Sequence, residues 1–284
     1  MKSLTDTFPL AGGGSIPCLG LGTYKAEKQE CYDAVRAALE IGYRHIDTAA
    51  FYGNEDAVGQ AIRDSGISRS DIFVTTKVWH TDQGYDKTMR AFEKSFEALS
   101  LGYIDLYLIH WPIPKGHLGD YKQLNAGSWR AIVSHIKEGA LRFGGVSNFL
   151  PQHIEELAET GDYMPVVNQI ECHPGLNQDE TVDYCRKKGI LVEAWRPLLR
   201  GGADKFPLLA EIARAHNCSA TQICIAWLLA RGICPLPKSV HADRIKENAD
   251  VFGINLSEEE VRLINGLPEY RLGSTPLDFA KQPD

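Results

Sequence analysis

The chain has 284 residues, a net charge of −7 and 44% hydrophobic residues, which suits either two small domains or one α/β barrel. The acidic balance argues against a nucleic-acid binder as a whole, and no apolar run approaches the roughly 20 residues that a membrane span requires. Seven cysteines, odd in number and with no CxxC pair, fit reduced thiols better than disulfides or a zinc site.

The N-terminal segment MKSLTDTFPLAGGG has no apolar stretch of signal-peptide length, so a cytoplasmic protein is expected. A hairpin is expected next, with apolar Phe8–Leu10 and Ile16–Cys18 around Gly12–Gly14. Eight strand candidates follow: Cys18–Gly22, Tyr43–Thr48, Ile72–Val78, Ile104–His110, Arg142–Asn148, Val166–Glu171, Ile190–Trp195 and Ile233–Ser239. Amphipathic stretches lie between them, among them Gln29–Ile41, Thr88–Leu99 and one beginning at Ile154–Ala158. The longest gap, between the last two strands, holds two helical patterns, Phe206–Ala215 and Ala220–Ala230. Helices near His241–Val251 and Ser257–Asn265 close the pattern, the second with Ser257 as cap and Glu260 three residues on.

Alternating strands and helices without a break in composition favour a single (β/α)8 TIM barrel over residues 1–284, with an N-terminal β-hairpin and two extra helices, over a doubly wound sheet. No strand is followed by GxGxxG, and the glycines at 12 to 14 precede no helix, so a Rossmann half has no support.

In such a barrel the chemistry belongs at the carboxyl ends of the strands. The second candidate strand, in YRHIDTAAFYGNE (43–55), ends at Asp47 with Tyr52 in its loop. The third ends at Lys77 with Trp79 beyond, and the fourth at His110 followed by Trp111. Singly, each has a plain structural explanation: a turn cap, a solvated strand end, a satisfied core histidine, loop packing. Together they converge on one mouth. A tyrosine hydroxyl near pKa ~10 is a poor acid at neutral pH, but an adjacent ammonium lowers that value. Asp47 would hold Lys77, Lys77 would make Tyr52 a usable proton donor, and His110 would orient the oxygen that receives the proton. The set suits carbonyl reduction and lacks only a hydride.

The later strands suit a hydride carrier. Ser147, Asn148 and Gln169 match the needs of a carboxamide, and Trp195 offers a flat face for a nicotinamide ring. Lys238, Ser239 and Arg244 suit a phosphate dianion where barrels most often bind one, although a solvated helix start would also explain the two cations.

At these residues the chain resembles the aldo-keto reductase superfamily, from about Phe8 to Asp278. The resemblance rests on GLGTY (20–24), YRHIDTAAFYGNE (43–55), TTKVW (75–79), YIDLYLIHWP (103–112), GVSNF (145–149), NQIECHP (168–174), AWRPL (194–198) and PKSVHADRIKEN (237–248). It implies a catalytic tetrad of Asp47, Tyr52, Lys77 and His110, with Tyr52 the proton donor. It also implies carboxamide contacts from Ser147, Asn148 and Gln169, stacking by Trp195, a 2′-phosphate site at Lys238, Ser239 and Arg244, and adenine contacts from Glu247 and Asn248. Thr23, Tyr24 and Leu198 fall in matching segments and are expected to touch the cofactor, which would be NADPH/NADP in preference to NADH. The chain is similar to the compact microbial members, including 2,5-diketo-gluconate reductases and prostaglandin F synthase-like enzymes. A monomer with a small-molecule carbonyl substrate is the expected state.

One departure concerns the residue after the stacking aromatic, more often serine in the family and Arg196 here, with Arg200 four residues on. Both arginines could grip the pyrophosphate, the favoured expectation, or Arg196 could point elsewhere. Substrate walls are expected from Tyr24, Phe51, His110, Trp79 and Trp111, an apolar aromatic set suited to aldehydes or small ketones. Arg271 is expected to be a solvated tail residue, with a fold over the mouth as the alternative. The competing functional class is an NADPH-binding redox sensor or structural protein with little turnover; the complete tetrad argues for catalysis.

Overall fold

A computed structural model describes residues 1–161 and 163–283. The chain opens with an antiparallel hairpin of β1 (Thr7–Pro9) and β2 (Ser15–Pro17), in which Phe8 pairs with Ile16. Gly12 and Gly13 make the turn at φ of 85° and 89°, a region that side chains avoid.

Eight parallel strands then form one sheet with each strand beside its successor: β3 (Leu21–Gly22), β4 (His45–Asp47), β5 (Phe73–Val78), β6 (Ile104–Ile109), β7 (Leu141–Ser147), β8 (Val167–Glu171), β9 (Leu191–Trp195) and β10 (Cys234–Leu236). The sheet closes into a barrel where Gly20 N donates to Pro235 O at 3.1 Å and Gly22 N to Pro237 O at 3.0 Å. The closure needs glycine at position 20, because a Cβ there would stand 2.6 Å from both His45 Nδ1 and Leu236 Cδ2.

The helices are α1 (Lys28–Ile41), α2 (Glu55–Asp64), α3 (Tyr85–Leu99), α4 (Tyr121–Glu138), α5 (Pro151–Ala158), α6 (Asp179–Lys187), α7 (Pro207–Ala215), α8 (Ala220–Ala230), α9 (Ala242–Ala249), α10 (Glu258–Asn265) and α11 (Pro276–Ala280). Each amphipathic helix turns its apolar stripe to the sheet, as α1 does with Cys31, Ala34, Val35, Ala38 and Leu39. β5 and β6 are buried at every position, as strands packed on both faces must be. The expected capping box is present: Ser257 N donates to Glu260 Oε2 at 2.7 Å and Glu260 N to Ser257 Oγ at 3.2 Å. Among the described residues, no helix is long and apolar enough to cross a membrane.

The expected strands stand, trimmed at their ends. The first keeps only β3, because Cys18 N is drawn to Asp6 O at 2.9 Å. The last keeps only β10, because Pro237 directly after it brings no N–H to a longer ladder. α7 and α10 are the two helices outside the strand–helix repeat. A third, α11, is an addition, started by Pro276 and by Thr275 Oγ1 accepting from Asp278 N at 3.1 Å.

Candidate active site

Asp47 is the last residue of β4, Lys77 lies near the end of β5, and His110 directly follows β6. Lys77 Nζ donates to Asp47 Oδ1, Asp47 Oδ2 and Thr48 O, each at 2.8 Å, and its side chain is fully buried. The ammonium is therefore held by three fixed oxygens, and the Tyr52 hydroxyl also lies within its reach. Tyr52 sits in a single 3₁₀ turn, Ala50–Tyr52. The centre of its ring lies 5.1 Å from Lys77 Nζ, and 5.0 Å and 5.9 Å from the ring centres of Tyr24 and His110.

The electrostatics follow from burial and one cation. Burial acts to lower Lys77, but Asp47 first, with Tyr52 and Glu193, together outweigh it and the lysine stands above its ordinary value. Burial and the Lys77 charge hold His110 well below the usual histidine range, so its imidazole is neutral at pH 7. Tyr52 corrects an expectation: burial pushes the phenol up to about 12, and Lys77 only offsets part of that rise. Desolvation, not the ammonium, dominates in the open site.

The second half of the mouth is hydrogen-bonded to the first. Ser147 Oγ donates to Gln169 O at 2.8 Å, Asn148 Nδ2 donates to His110 O at 2.9 Å and Ser147 Oγ at 3.1 Å, and Trp195 Nε1 donates to Asn148 Oδ1 at 2.9 Å. Gln169 Nε2 donates to Asp47 Oδ2 at 2.8 Å, and both Thr23 N and Thr23 Oγ1 donate to Asp47 O at 3.0 Å. Asn148, at φ 64°, takes the left-handed turn that ends β7, and asparagine tolerates that region better than most residues.

A sequence model described as the Aldo/keto reductase family matches residues 18–269. The chain belongs to the aldo/keto reductase family. A "Glyoxal reductase" of Bacillus subtilis is 45% identical over 276 residues, covering 96% of this chain and 97% of that one. An aldo/keto reductase structure from Brucella melitensis superposes with a TM-score of 0.86 at 44% identity, over 92% of this chain and 98% of that one. A Bombyx mori aldo-keto reductase solved in complex with NADP gives a TM-score of 0.84 at 36% identity, over 93% and 92%.

In this aldo/keto reductase, Lys238 and Arg244 are exposed at the end of β10 and the start of α9, with Glu247 exposed beside them and Asn248 buried. The Ser239 hydroxyl is held in the turn, donating to His241 O at 3.3 Å and accepting from His241 N at 3.1 Å. Arg196 takes the less favoured of its two expected courses. It lies 3.6 Å from buried Glu171, with its guanidinium 4.8 Å from the centre of the Trp195 ring, while Arg200 stays exposed and Leu198 half-buried. Arg196, Leu199 and Arg200 all have positive φ, so the loop after β9 bends sharply at a cost of order 1 kcal/mol per residue. Arg271 is not a solvated tail residue: it is half-buried, 3.9 Å from Glu171 Oε2 and 4.0 Å from Glu269.

Glu171 is the anchor that sequence reasoning missed. It accepts from Leu272 N at 3.1 Å and Gly273 N at 2.9 Å, and despite burial, His173 Nε2 at 3.5 Å and the Gly273 N–H hold its carboxyl below the usual range. The tail is thereby drawn across Trp195, where a Cβ on residue 273 would come within 2.4 Å of the indole. Several of the aromatic residues lie together, Phe51 stacked on Trp79 at 3.9 Å and Trp79 5.0 Å from His110. Phe279 of α11 joins them, stacked on Trp111 at 4.1 Å and 2° and edge-on to Trp79 at 5.7 Å. Its signal was the T-P-x-D start of a short apolar helix.

Proposed function

We propose that this aldo/keto reductase reduces aldehydes and small ketones to alcohols with NADPH, Tyr52 delivering the proton. The observation that carries the reading is the buried Lys77 ammonium, spent on Asp47 and Thr48 and held 5.1 Å from the Tyr52 ring centre. That fixed charge favours phenolate over phenol when the proton leaves. Neutral His110 presents a hydrogen-bonding edge to the same carbonyl oxygen, and its buried Nδ1 has no partner. Asp47 acts through Lys77.

The residues present fit the cofactor. Exposed Lys238 and Arg244 enter no ion pair among the described residues, which suits a 2′-phosphate, with Ser239 in the adjoining turn. Glu247 and Asn248 would meet the adenine, and Thr23, Tyr24 and Leu198 would line the bed. Arg200, exposed, is the arginine better placed for the pyrophosphate; Arg196 is drawn to Glu171 at 3.6 Å, its Nη1 making no hydrogen bond. Ser147, Asn148, Gln169 and Trp195 would hold the nicotinamide. Bound there, NADPH supplies the hydride, and holding donor and carbonyl together supplies much of the rate.

Tyr24, Phe51, Trp79, His110, Trp111 and Phe279 would wall the substrate site with aromatic faces and no carboxylate anchor, which suits small aldehydes and α-dicarbonyls; the similarity to a glyoxal reductase points the same way. In this reading the chain is one domain, 1–284, working as a cytoplasmic monomer with no nucleic-acid partner. Its seven free cysteines suit a reducing compartment.

The test is NADPH oxidation followed at 340 nm with aldehydes, α-dicarbonyls and keto-sugars, NADH in parallel, for wild type and Tyr52→Phe. Wild-type turnover with NADPH and loss of at least about 100-fold in the variant, at unchanged NADPH affinity, is expected. Tight binding without turnover in wild type would leave a sensor or structural protein.

A further inference from the structure

β9 reads LVEAW, and its one charged residue, Glu193, points into the barrel interior with a fully buried side chain. A carboxyl there costs several kcal/mol unless it is neutral or hydrogen-bonded. Glu193 Oε2 accepts from Gln169 Nε2 at 2.9 Å, and the same nitrogen donates to Asp47 Oδ2 at 2.8 Å. A primary amide has two N–H donors on one nitrogen and one carbonyl oxygen. Here two carboxyl groups on two different strands take the nitrogen. Reversing the amide would set its oxygen against the Asp47 carboxylate that Lys77 holds and would break the bond to Glu193 Oε2, so the observed orientation is the favoured one and leaves the amide oxygen as the end for a ligand.

Resting on the reductase reading above, we propose that Glu193 is a positioning residue for the nicotinamide: with Asp47 it grips Gln169 Nε2, so that Gln169 turns its carbonyl oxygen to the carboxamide N–H groups.

The surroundings of Glu193 support the assignment. His45 Nε2 is 3.7 Å from Glu193 Oε1 and is engaged by Thr75 Oγ1 at 3.2 Å, while Glu193 Oε1 has no hydrogen-bond partner. Lys77 on β5, Asp47 and His45 on β4 and Cys234 on β10 are the titratable groups around it. His45, Glu193 and Cys234 bring ligand-type atoms within 4.8 Å of one another, but Lys77 already supplies the cation of this pocket and Cys234 Sγ donates to Pro17 O at 3.5 Å. The grip on Gln169 is the strong interaction that Glu193 makes. Burial and the Asp47 charge push the Glu193 carboxyl up to about 8, so it holds a proton at neutral pH while Oε2 still accepts.

The experiment compares binding of NADPH with binding of 2′-phospho-ADP-ribose, which keeps the phosphates and adenine and lacks the nicotinamide. The proteins are full-length wild type, Glu193→Gln and Glu193→Leu. Glu193→Leu should weaken NADPH about tenfold, the worth of one hydrogen bond, and leave 2′-phospho-ADP-ribose within about twofold. Glu193→Gln, whose amide oxygen can still accept from Gln169, should recover NADPH to within about threefold. Should the leucine variant not fold, Glu193→Thr, too short to reach Gln169, takes its place. In a Gln169→Ala background the Glu193 substitution should have no further effect. Equal weakening of both probes, an unaffected NADPH affinity, or a full additive effect in that background would each overturn the proposal. Wild type that binds neither probe would sink the reductase reading with it. Nicotinamide-selective loss in a protein without turnover would sink only the reductase reading.

Discussion

Lys77 Nζ stands 2.8 Å from both carboxylate oxygens of Asp47 inside a barrel wall that excludes water. The pair does two things: it keeps a cation buried, and it points that cation at Tyr52. The two roles separate on mutation.

Lys77→Met removes the cation, keeps most of the volume and leaves Asp47 unpaired in the core. Breaking one side of a buried pair costs about 3–5 kcal/mol, so urea unfolding should show a loss of that order. With the ammonium gone, burial acts on Tyr52 unopposed, and kcat should fall by roughly 10² to 10⁴ while NADPH affinity changes by no more than about threefold. A kcat within tenfold of wild type, measured on folded protein, would detach Lys77 from the chemistry.

Arg244 tests the cofactor assignment. It is exposed at the start of α9 beside Lys238, where a charge-assisted contact to a phosphate is worth about 1.5–3 kcal/mol. Arg244→Ala should weaken NADPH by about ten- to a hundredfold and NADH by less than about threefold. Fluorescence titration of both cofactors decides it, and equal losses would place Arg244 away from the 2′-phosphate.

Arg196 and Arg200 lie four residues apart in different surroundings. Arg196 is spoken for by Glu171 and the Trp195 ring, whereas Arg200 is exposed. Arg200→Ala should therefore cost more NADPH affinity than Arg196→Ala, by about fivefold or more, and the difference should shrink at high salt as exposed charges are screened. The reverse order in the same titration would mean that Arg196 swings away from Glu171 when cofactor binds.

The strand ends were legible because a parallel strand with both faces buried reads as an apolar run, and a polar residue at its carboxyl end stands out. Asp47, Lys77 and His110 stood out in that way, as did Ser147, Asn148 and Trp195. Legibility failed where direction matters more than identity. Arg196 was visible, but its course depends on Glu171, at the end of the neighbouring strand β8 and joined to the tail by Leu272 N and Gly273 N; no local spacing encodes that. The net shift at Tyr52 depends on how much water the loops exclude, which the neighbouring lysine alone does not reveal. Phe279 belongs to a five-residue helix, too short for any periodicity to register. Glu193 was readable as a charge inside an apolar strand, yet its partner Gln169 is set by the register of β8 against β9, and His45 and Asp47 on β4 reach it only once the barrel has closed.

Glu193 also makes stability depend on pH in a way that can be isolated. Its carboxyl sits at about 8 in the folded chain, against an ordinary value of 4.5. The folded state therefore binds more protons than the unfolded state between those limits, and the stability that comes from holding the proton is full below about 4.5 and is lost as pH rises to about 8. The slope is about 1.4 kcal/mol per pH unit for one group. His45, held down to about 3 by burial and by Lys77, works in the opposite sense between about 3 and 6.5, so the wild-type curve alone conceals the effect over much of the range. Subtracting the curve of Glu193→Gln, which has no proton to lose, removes most of the His45 contribution. The advantage of Glu193→Gln over wild type in urea unfolding should grow steadily from pH 5 to pH 8 and level off above it. A difference that stays flat across that window would mean that Glu193 is ionised in the folded protein at neutral pH, sharing the Lys77 charge with Asp47.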